Sequence, residues 1–144
     1  MKKLNKFVLG FLATLMIAAI GFAGVNQIIF ANPQQNDRII ATLQSSRNAN
    51  NVVTATPAGR RVGGTENAIR MRLVSNAISS VNGMARDNIT EHPWTTQMSP
   101  RLGHPYTAPE RSRTIVLGFM EAQVEARRNA NDNFGARVSV RRSW

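Results

Sequence analysis

The chain has no cysteine, and beyond its sixth residue it has no lysine. The missing cysteine excludes disulfides, thiol nucleophiles and thiolate metal sites. The missing lysine means that all side-chain positive charge after the amino-terminal end comes from arginine, apart from histidine. Only two histidines are present, which leaves few groups for acid–base catalysis or metal binding.

The amino-terminal end has the composition of an export signal. Three lysines precede a run of nineteen residues, 7–25, without a charge or an amide. A cleaved signal has an apolar core of about 7 to 15 residues, and a spanning helix needs about 20. We therefore keep two alternatives: removal after Ala31 or after Ala23, or an anchor helix that crosses the membrane through residues 7–30. Both place the body outside the cytoplasm, in the periplasm or at the cell surface, membrane-anchored or secreted.

We divide the chain into a signal or anchor at residues 1–31, a polar spacer at residues 32–51 and one small domain at residues 52–144. A domain of this size buries a modest core, and no disulfide compensates for that. We therefore expect the protein to belong to an oligomer or a larger assembly.

Two segments predict helices. Thr65 is a suitable N-cap, and Ile69, Leu73, Ala77, Val81 and Met84 recur at spacings of three and four, which predicts a first helix from about residue 66 to 81 or a turn beyond. Residues 107–110, Thr-Ala-Pro-Glu, match a capping box and predict a second helix that ends near residue 129.

Two other segments predict strands. Residues 52–56 are rich in β-branched side chains, and at residues 136–144 Val138 and Val140 alternate with arginine and serine. We expect these two strands to pair. The predicted fold is α+β: an apolar signal or anchor helix, followed by a small domain of two main helices packed on a short β-sheet.

The domain is basic. From residue 32 onward fifteen arginines accompany eight acidic residues, a net charge of +7. Guanidinium groups bind carboxylate and phosphate by two-point contacts, so we expect an anionic protein surface, lipid head groups or polysaccharide as the partner. Nucleic acid fits poorly with export. The contact residues that we select are Arg60, Arg61, Arg137, Arg141 and Arg142.

Arg60 and Arg61 lie in a glycine-rich stretch, residues 58–65, just before the first predicted helix. Flexible backbone N–H groups, two guanidinium groups and a helix N-terminus are the components of an anion cradle. The alternative is a solvated turn.

The pattern His-Pro-aromatic occurs twice, at residues 92–94 and 104–106. Two histidines could contribute to a metal site, but no diagnostic ligand spacing accompanies them, and we predict no metal or other cofactor. A sugar or a lipid head group could stack on the aromatic rings. The alternative is a proline-stiffened connector between two helices. The residues of this possible ligand or partner loop are His92, Trp94, Arg101, His104 and Tyr106.

Catalysis has little support in the sequence. There is no G-x-S-x-G elbow, and the serine nearest to the histidines is Ser99. We therefore predict no catalytic residue. The function that we expect is that of an exported, basic accessory or structural subunit of an envelope or membrane-associated assembly that binds an anionic partner. The alternative is an envelope enzyme or a metal- or sugar-binding protein that uses His92 and His104.

Overall fold

The structure, a computed structural model, describes residues 27–30, 38–135 and 137–144. These residues form an all-β fold with ten strands and no helix. The strands are β1 (Gln27–Phe30), β2 (Ile39–Arg47), β3 (Val52–Arg61), β4 (Ala68–Val81), β5 (Met84–Glu91), β6 (Thr95–Met98), β7 (Pro105–Thr107), β8 (Arg111–Thr114), β9 (Gly118–Arg127) and β10 (Arg137–Ser143).

The strands form two antiparallel sheets of five strands each. In the first sheet the order is β1, β2, β3, and both β7 and β8 pair with the far edge of β3. In the second sheet the order is β10, β9, β4, and both β5 and β6 pair with the far edge of β4. One hydrophobic cluster takes side chains from β2 and β3 of the first sheet and from β4, β9 and β10 of the second. The domain is therefore a β-sandwich.

Alternation along the strands produces the core. In β4, Ile69, Met71 and Leu73 are buried between the sheets, while Arg70 and Arg72 point to the outer side. In β9 the side chains of residues 120, 122 and 124 enter the same cluster. A period of two places every second residue on one face of a sheet, which is the pattern of a half-buried strand.

The prediction of two main helices is wrong. The first predicted helix is β4, and its apolar residues at 69, 73, 77 and 81 are spaced by four. Four is a multiple of two, so this spacing fits one face of a strand as well as one face of a helix. The residues between them decide the question, because Arg70 and Arg72 alternate with the buried Ile69, Met71 and Leu73.

The second predicted helix is also wrong, since its residues form β8, β9 and their connection. Thr107, the supposed cap, is the last residue of β7, and the N–H of Ala108 donates to the carbonyl oxygen of Pro57. Residues 120–127, MEAQVEAR, have high helix propensity but alternate strictly. Burial of the apolar side of β9 in the sandwich outweighs local preference, which amounts to less than about 1 kcal/mol per residue.

The strand predictions were partly right. The final strand is present as β10, with Val138 and Val140 buried, and the early strand is present as the longer β3. Their expected pairing is wrong, because β10 pairs with β9, whereas β3 pairs with β2, β7 and β8. Residues 39–47, which we had assigned to the spacer, form β2.

The predicted signal or anchor lies outside the described residues, except for residues 27–30, which form β1 beside β2. In the part of the chain that the structure describes, no helix is long and apolar enough to cross a membrane.

The sheets approach closely at Gly59, and this contact gives a test of the sandwich. A Cβ atom added at Gly59 would lie 2.8 Å from Cγ1 of Val124, a fully buried, stiff side chain of the opposite sheet. We predict that Gly59→Ala lowers the free energy of unfolding by about 1–3 kcal/mol, the usual cost of overpacking.

The matching control is Gly59→Ala combined with Val124→Ala, measured by urea denaturation with both single variants. If the two residues meet across the core, the double variant loses less stability than the sum of the single losses. Additive losses would contradict this packing of the sheets.

Candidate binding face

Three polar side chains form a buried row on the outer side of β9. Glu121, Gln123 and Glu125 are only 7%, 8% and 5% exposed, although they point away from the core. Side chains of the neighbouring strands β4 and β10 cover them from both sides. Glu125 lies in register with Arg70 of β4 and Arg137 of β10, and Glu121 lies in register with Arg141. Opposite charges on directly paired residues are favourable cross-strand pairs.

Glu125 binds two guanidinium groups at once. Nε and Nη2 of Arg70 lie 2.8 and 2.6 Å from Oε2, and Nε and Nη2 of Arg137 both lie 2.8 Å from Oε1. Each carboxylate oxygen therefore accepts from one arginine. Charge-assisted pairs of this kind hold the guanidinium plane in a fixed orientation.

A continuous chain of contacts covers the rest of the row. Nε and Nη2 of Arg141 each lie 2.7 Å from Oε2 of Glu121, whose Oε1 accepts from the amide of Gln123. Nε of Arg72 donates to Oε1 of Gln123 at 2.9 Å. Nη1 of Arg72 lies 2.6 Å from Oε2 of the exposed Glu91 in β5. Polar groups on four neighbouring strands are thus linked.

Aromatic rings cover part of these guanidinium groups. The guanidinium carbons of Arg70 and Arg72 lie 4.4 and 4.5 Å from the ring centroid of Trp94, and that of Arg137 lies 5.9 Å from it. The guanidinium carbon of Arg141 lies 3.7 Å from the ring centroid of Phe119. Such cation–π contacts stabilise each pair by about 0.5–2 kcal/mol. We call this surface the arginine face: Arg70, Arg72, Arg137, Arg141, Trp94 and the row at residues 121, 123 and 125.

Two of its arginines remain accessible. The side chains of Arg137 and Arg141 are 49% and 52% exposed. Both use Nε and Nη2 for their carboxylate, so the Nη1 group of each guanidinium points away from it. The arginine face can therefore offer oriented N–H donors, from Arg137 near the ring of Trp94 and from Arg141 over the ring of Phe119.

Arg142, the third arginine that we selected in β10, points to the other side. Its Nη1 group donates to the carbonyl and hydroxyl oxygens of Ser45, both at 3.2 Å, and so connects the two sheets. Burial lowers its pKa from the usual value. Alternation along β10 separates this residue from Arg137 and Arg141.

The other selected arginines lie on the first sheet. Pairing of β3 with β7 brings Arg60 opposite Pro105, and the N–H of Gly103 donates to the carbonyl oxygen of Arg61. Arg60 and Arg61 therefore lie close to the second His-Pro-aromatic unit. The proposed helix N-terminus of the anion cradle is absent, because a strand, β4, follows this stretch.

The loop before β7 is held by its own contacts. The backbone N–H of Arg101 donates to the hydroxyl oxygen of Tyr106 at 3.3 Å, and the rings of His104 and Tyr106 meet edge to face at 4.9 Å. Arg101, His104 and Tyr106 thus form one corner beside the end of β3, where alternation directs Arg60 and Arg61 to opposite faces of the sheet. No carboxylate is paired with these three arginines in the described ion pairs.

The first His-Pro-aromatic unit belongs to the second sheet. The backbone N–H of His92 donates to the carbonyl oxygen of Leu73, and Trp94 lies on the arginine face. Burial lowers the pKa of His92, and the positive charges of Arg111 and Arg113 lower it further. The two units therefore do not belong to one loop between helices. Among the described residues no group of three or more His, Asp or Glu side chains is arranged to hold a metal ion.

Sequence reasoning missed most of the arginine face. It selected Trp94, Arg137 and Arg141 but not Arg70, Arg72, Glu121, Gln123 or Glu125. The signal was present as alternation, since IRMRL at residues 69–73 and MEAQVEA at residues 120–126 each place charged or amide groups at every second position. The helix assignment concealed it, because a helix would scatter these groups around its circumference.

Glu125 provides a test of these cross-strand ion pairs. Replacing it with Gln keeps the shape but removes the charge between Arg70 and Arg137, which leaves two guanidinium groups facing each other. We predict that Glu125→Gln lowers the free energy of unfolding by about 1–3 kcal/mol, less than for a fully buried pair because both arginines are partly exposed.

The matched control is Glu91→Gln. Glu91 also pairs with an arginine, but its side chain is 56% exposed. Arg72 is 13% exposed but keeps its hydrogen bond to Gln123, and Glu91 is hydrated, so the pair contributes about 0–1 kcal/mol and this variant should unfold nearly like the original protein. Equal effects of the two substitutions in urea denaturation would contradict the account of Glu125.

Comparison with known proteins adds no family to this picture. No family model matches the sequence, and no similar curated protein was found. The geometry of the described residues is therefore what bears on function.

Proposed function

We propose that this protein is an exported β-sandwich that acts by binding, as an accessory or structural subunit of an envelope or membrane-associated assembly. Its partner carries carboxylate or phosphate groups, and the arginine face is the principal contact surface. The observation that carries the proposal is the fixed, half-exposed pair Arg137 and Arg141, each oriented by a buried carboxylate.

Orientation matters because a free arginine side chain has many rotamers. Ordering such a side chain at an interface costs about 0.5–1.5 kcal/mol, and at Arg137 and Arg141 the contacts with Glu125 and Glu121 meet much of that cost in the folded protein. The arginine face carries more arginines than carboxylates, and its carboxylates at 121 and 125 are buried beneath the guanidinium groups. An anion that approaches from solvent therefore meets positive charge first.

The end of the first sheet that carries Arg60, Arg61 and Arg101 supports the same chemistry, with Arg60 and Arg61 on opposite faces of β3. These guanidinium groups lack the paired carboxylates of the arginine face, so they contribute charge rather than fixed geometry. We assign them a secondary role in attraction, which is screened by salt over about 8 Å at physiological ionic strength.

Export remains part of the proposal, supported by the basic and apolar composition of residues 1–25. The position of β1 bears on how the signal is processed. Removal after Ala31 would delete β1 and expose the edge of β2, whereas removal after Ala23 or retention of the segment leaves the first sheet with five strands. We therefore favour removal after Ala23 or retention of the segment, with the sandwich outside the cytoplasm.

The test measures retention on matrices that carry carboxylate or phosphate groups. We predict that the double variant R137Q/R141Q elutes at clearly lower salt than the original protein, with a smaller dependence of retention on salt. Comparison of the carboxylate and phosphate matrices shows which anion the arginine face prefers.

The control variant is R111Q/R128Q, which removes the same charge from exposed arginines outside the arginine face. If net charge alone governs retention, the two double variants elute together, and that result would refute the arginine face as the contact surface. Circular dichroism of both variants confirms that the sheets remain folded.

A further inference from the structure

One hairpin extends beyond the sandwich. The pairing of β4 with β9 ends at Ala77, yet β4 continues to Val81 and returns as β5 from Met84. Asn82 and Gly83 both have positive φ, 53° and 75°, as in the type I′ turn that joins two strands directly. Four residues past Ala77 span about 13 Å. We call residues 78–88 the hairpin arm.

The hairpin arm is exposed on both faces. Every residue of β5 is exposed, as are residues 79–81 of β4. Nevertheless Val81 and Met84 near its tip are apolar, and they are 40% and 69% exposed. A two-stranded hairpin is marginally stable in water by itself, so an arm with apolar side chains and no covering layer suggests a partner surface.

A neighbouring loop adds to this apolar surface. Val116 and Leu117, between β8 and β9, are 66% and 55% exposed, and the carbonyl oxygen of Leu117 accepts from the N–H of Ile78 at the base of the hairpin arm. Five of the seven large apolar side chains that are exposed in the described residues lie at or near this end of the sandwich. They are Val81, Met84, Ile89, Val116 and Leu117.

The other two exposed apolar side chains lie at the opposite end. Met98 pairs with Ala68 at the start of β4, and Leu102 forms a bridge with Arg61 at the end of β3. The exposed apolar side chains are therefore unequally divided between the two ends, and most of them lie at the end with the hairpin arm.

The chain enters the sandwich at the same end. Strand β1 runs antiparallel to β2, with Gln27 opposite Ser45 and Phe30 opposite Thr42. Ser45 is close to the end of β2, where Nη2 of Arg47 donates to the carbonyl oxygen of Val116. The chain therefore enters β1 at the end of the sandwich that carries the hairpin arm and the loop at Val116 and Leu117.

We propose that this end of the sandwich faces a lipid bilayer, and that the hairpin arm and the loop at Val116 and Leu117 enter its interfacial region. Apolar side chains of surface-bound segments bury about 5–10 Å into the boundary between head groups and acyl chains. Arg47 and Arg86 lie at the same end and suit anionic head groups. This inference rests on the membrane association within the proposed function, with residues 7–25 retained in the same bilayer.

The absence of cysteine makes the test direct, because one introduced cysteine is the only labelling site in the chain. The full chain carries Met84→Cys, Leu117→Cys or, as the matched control at the opposite end, Leu102→Cys. All three residues are well exposed, at 69%, 55% and 62%, so the substitutions remove few core contacts. Each variant is labelled with an environment-sensitive fluorophore and reconstituted into vesicles of phosphatidylethanolamine and phosphatidylglycerol.

The expected result is a blue-shifted emission at positions 84 and 117, with strong quenching by lipid-borne nitroxide and several-fold weaker quenching by iodide than at position 102. Equal behaviour at all three positions would overturn the inference. Protection of positions 84 and 117 from iodide that disappears when the protein is diluted with excess lipid would also overturn the inference. A second copy of the protein, and not the bilayer, would then cover these positions. Neither result bears on how strongly the anionic matrices retain R137Q/R141Q, so failure of this inference is distinguishable from failure of the proposed function.

Discussion

The burial of two carboxylates and an amide on the outer side of β9 is the constraint on which the second sheet depends. Glu121, Gln123 and Glu125 are largely removed from water, and buried charges are tolerated only when they are paired and hydrogen-bonded. Arginines from β4 and β10 supply those partners. A shift of one residue in either pairing would move the arginines to the core side, so the row specifies the register as strongly as the apolar core does.

The core itself is made of small and medium side chains, and polar contacts across it complement them. Arg113 of β8 donates to the carbonyl and hydroxyl oxygens of Ser75 in β4, and Arg142 of β10 donates to Ser45 in β2. Arginine thus serves three physical roles in this domain: pairing with buried carboxylates, bridging the sheets and remaining available at the surface. The excess of arginine is in part structural, so the net charge overstates the number of arginines that are available to a partner.

Sequence reasoning identified the final strand, part of β3 and the basic character, but it did not identify the fold. A spacing of four residues satisfies both the helical period and the strand period, and residues such as those of MEAQVEAR prefer helix when considered locally. The distinguishing feature was the strict alternation of charged and apolar residues in β4 and β9. The meeting of Trp94 with Arg70 and Arg137 depends on pairings between distant segments, which no local pattern specifies.

The same physics connects fold and function. If the buried row orients Arg70, Arg137 and Arg141, the stability of the second sheet and the chemistry of the arginine face have one cause. Hydrogen exchange of arginine Nε–H groups, followed by NMR, tests this most directly. The account predicts slow exchange for Arg70, Arg137 and Arg141, whose Nε–H groups donate to buried carboxylates, and fast exchange for Arg111 and Arg128. Uniformly fast exchange for all five arginines would contradict it.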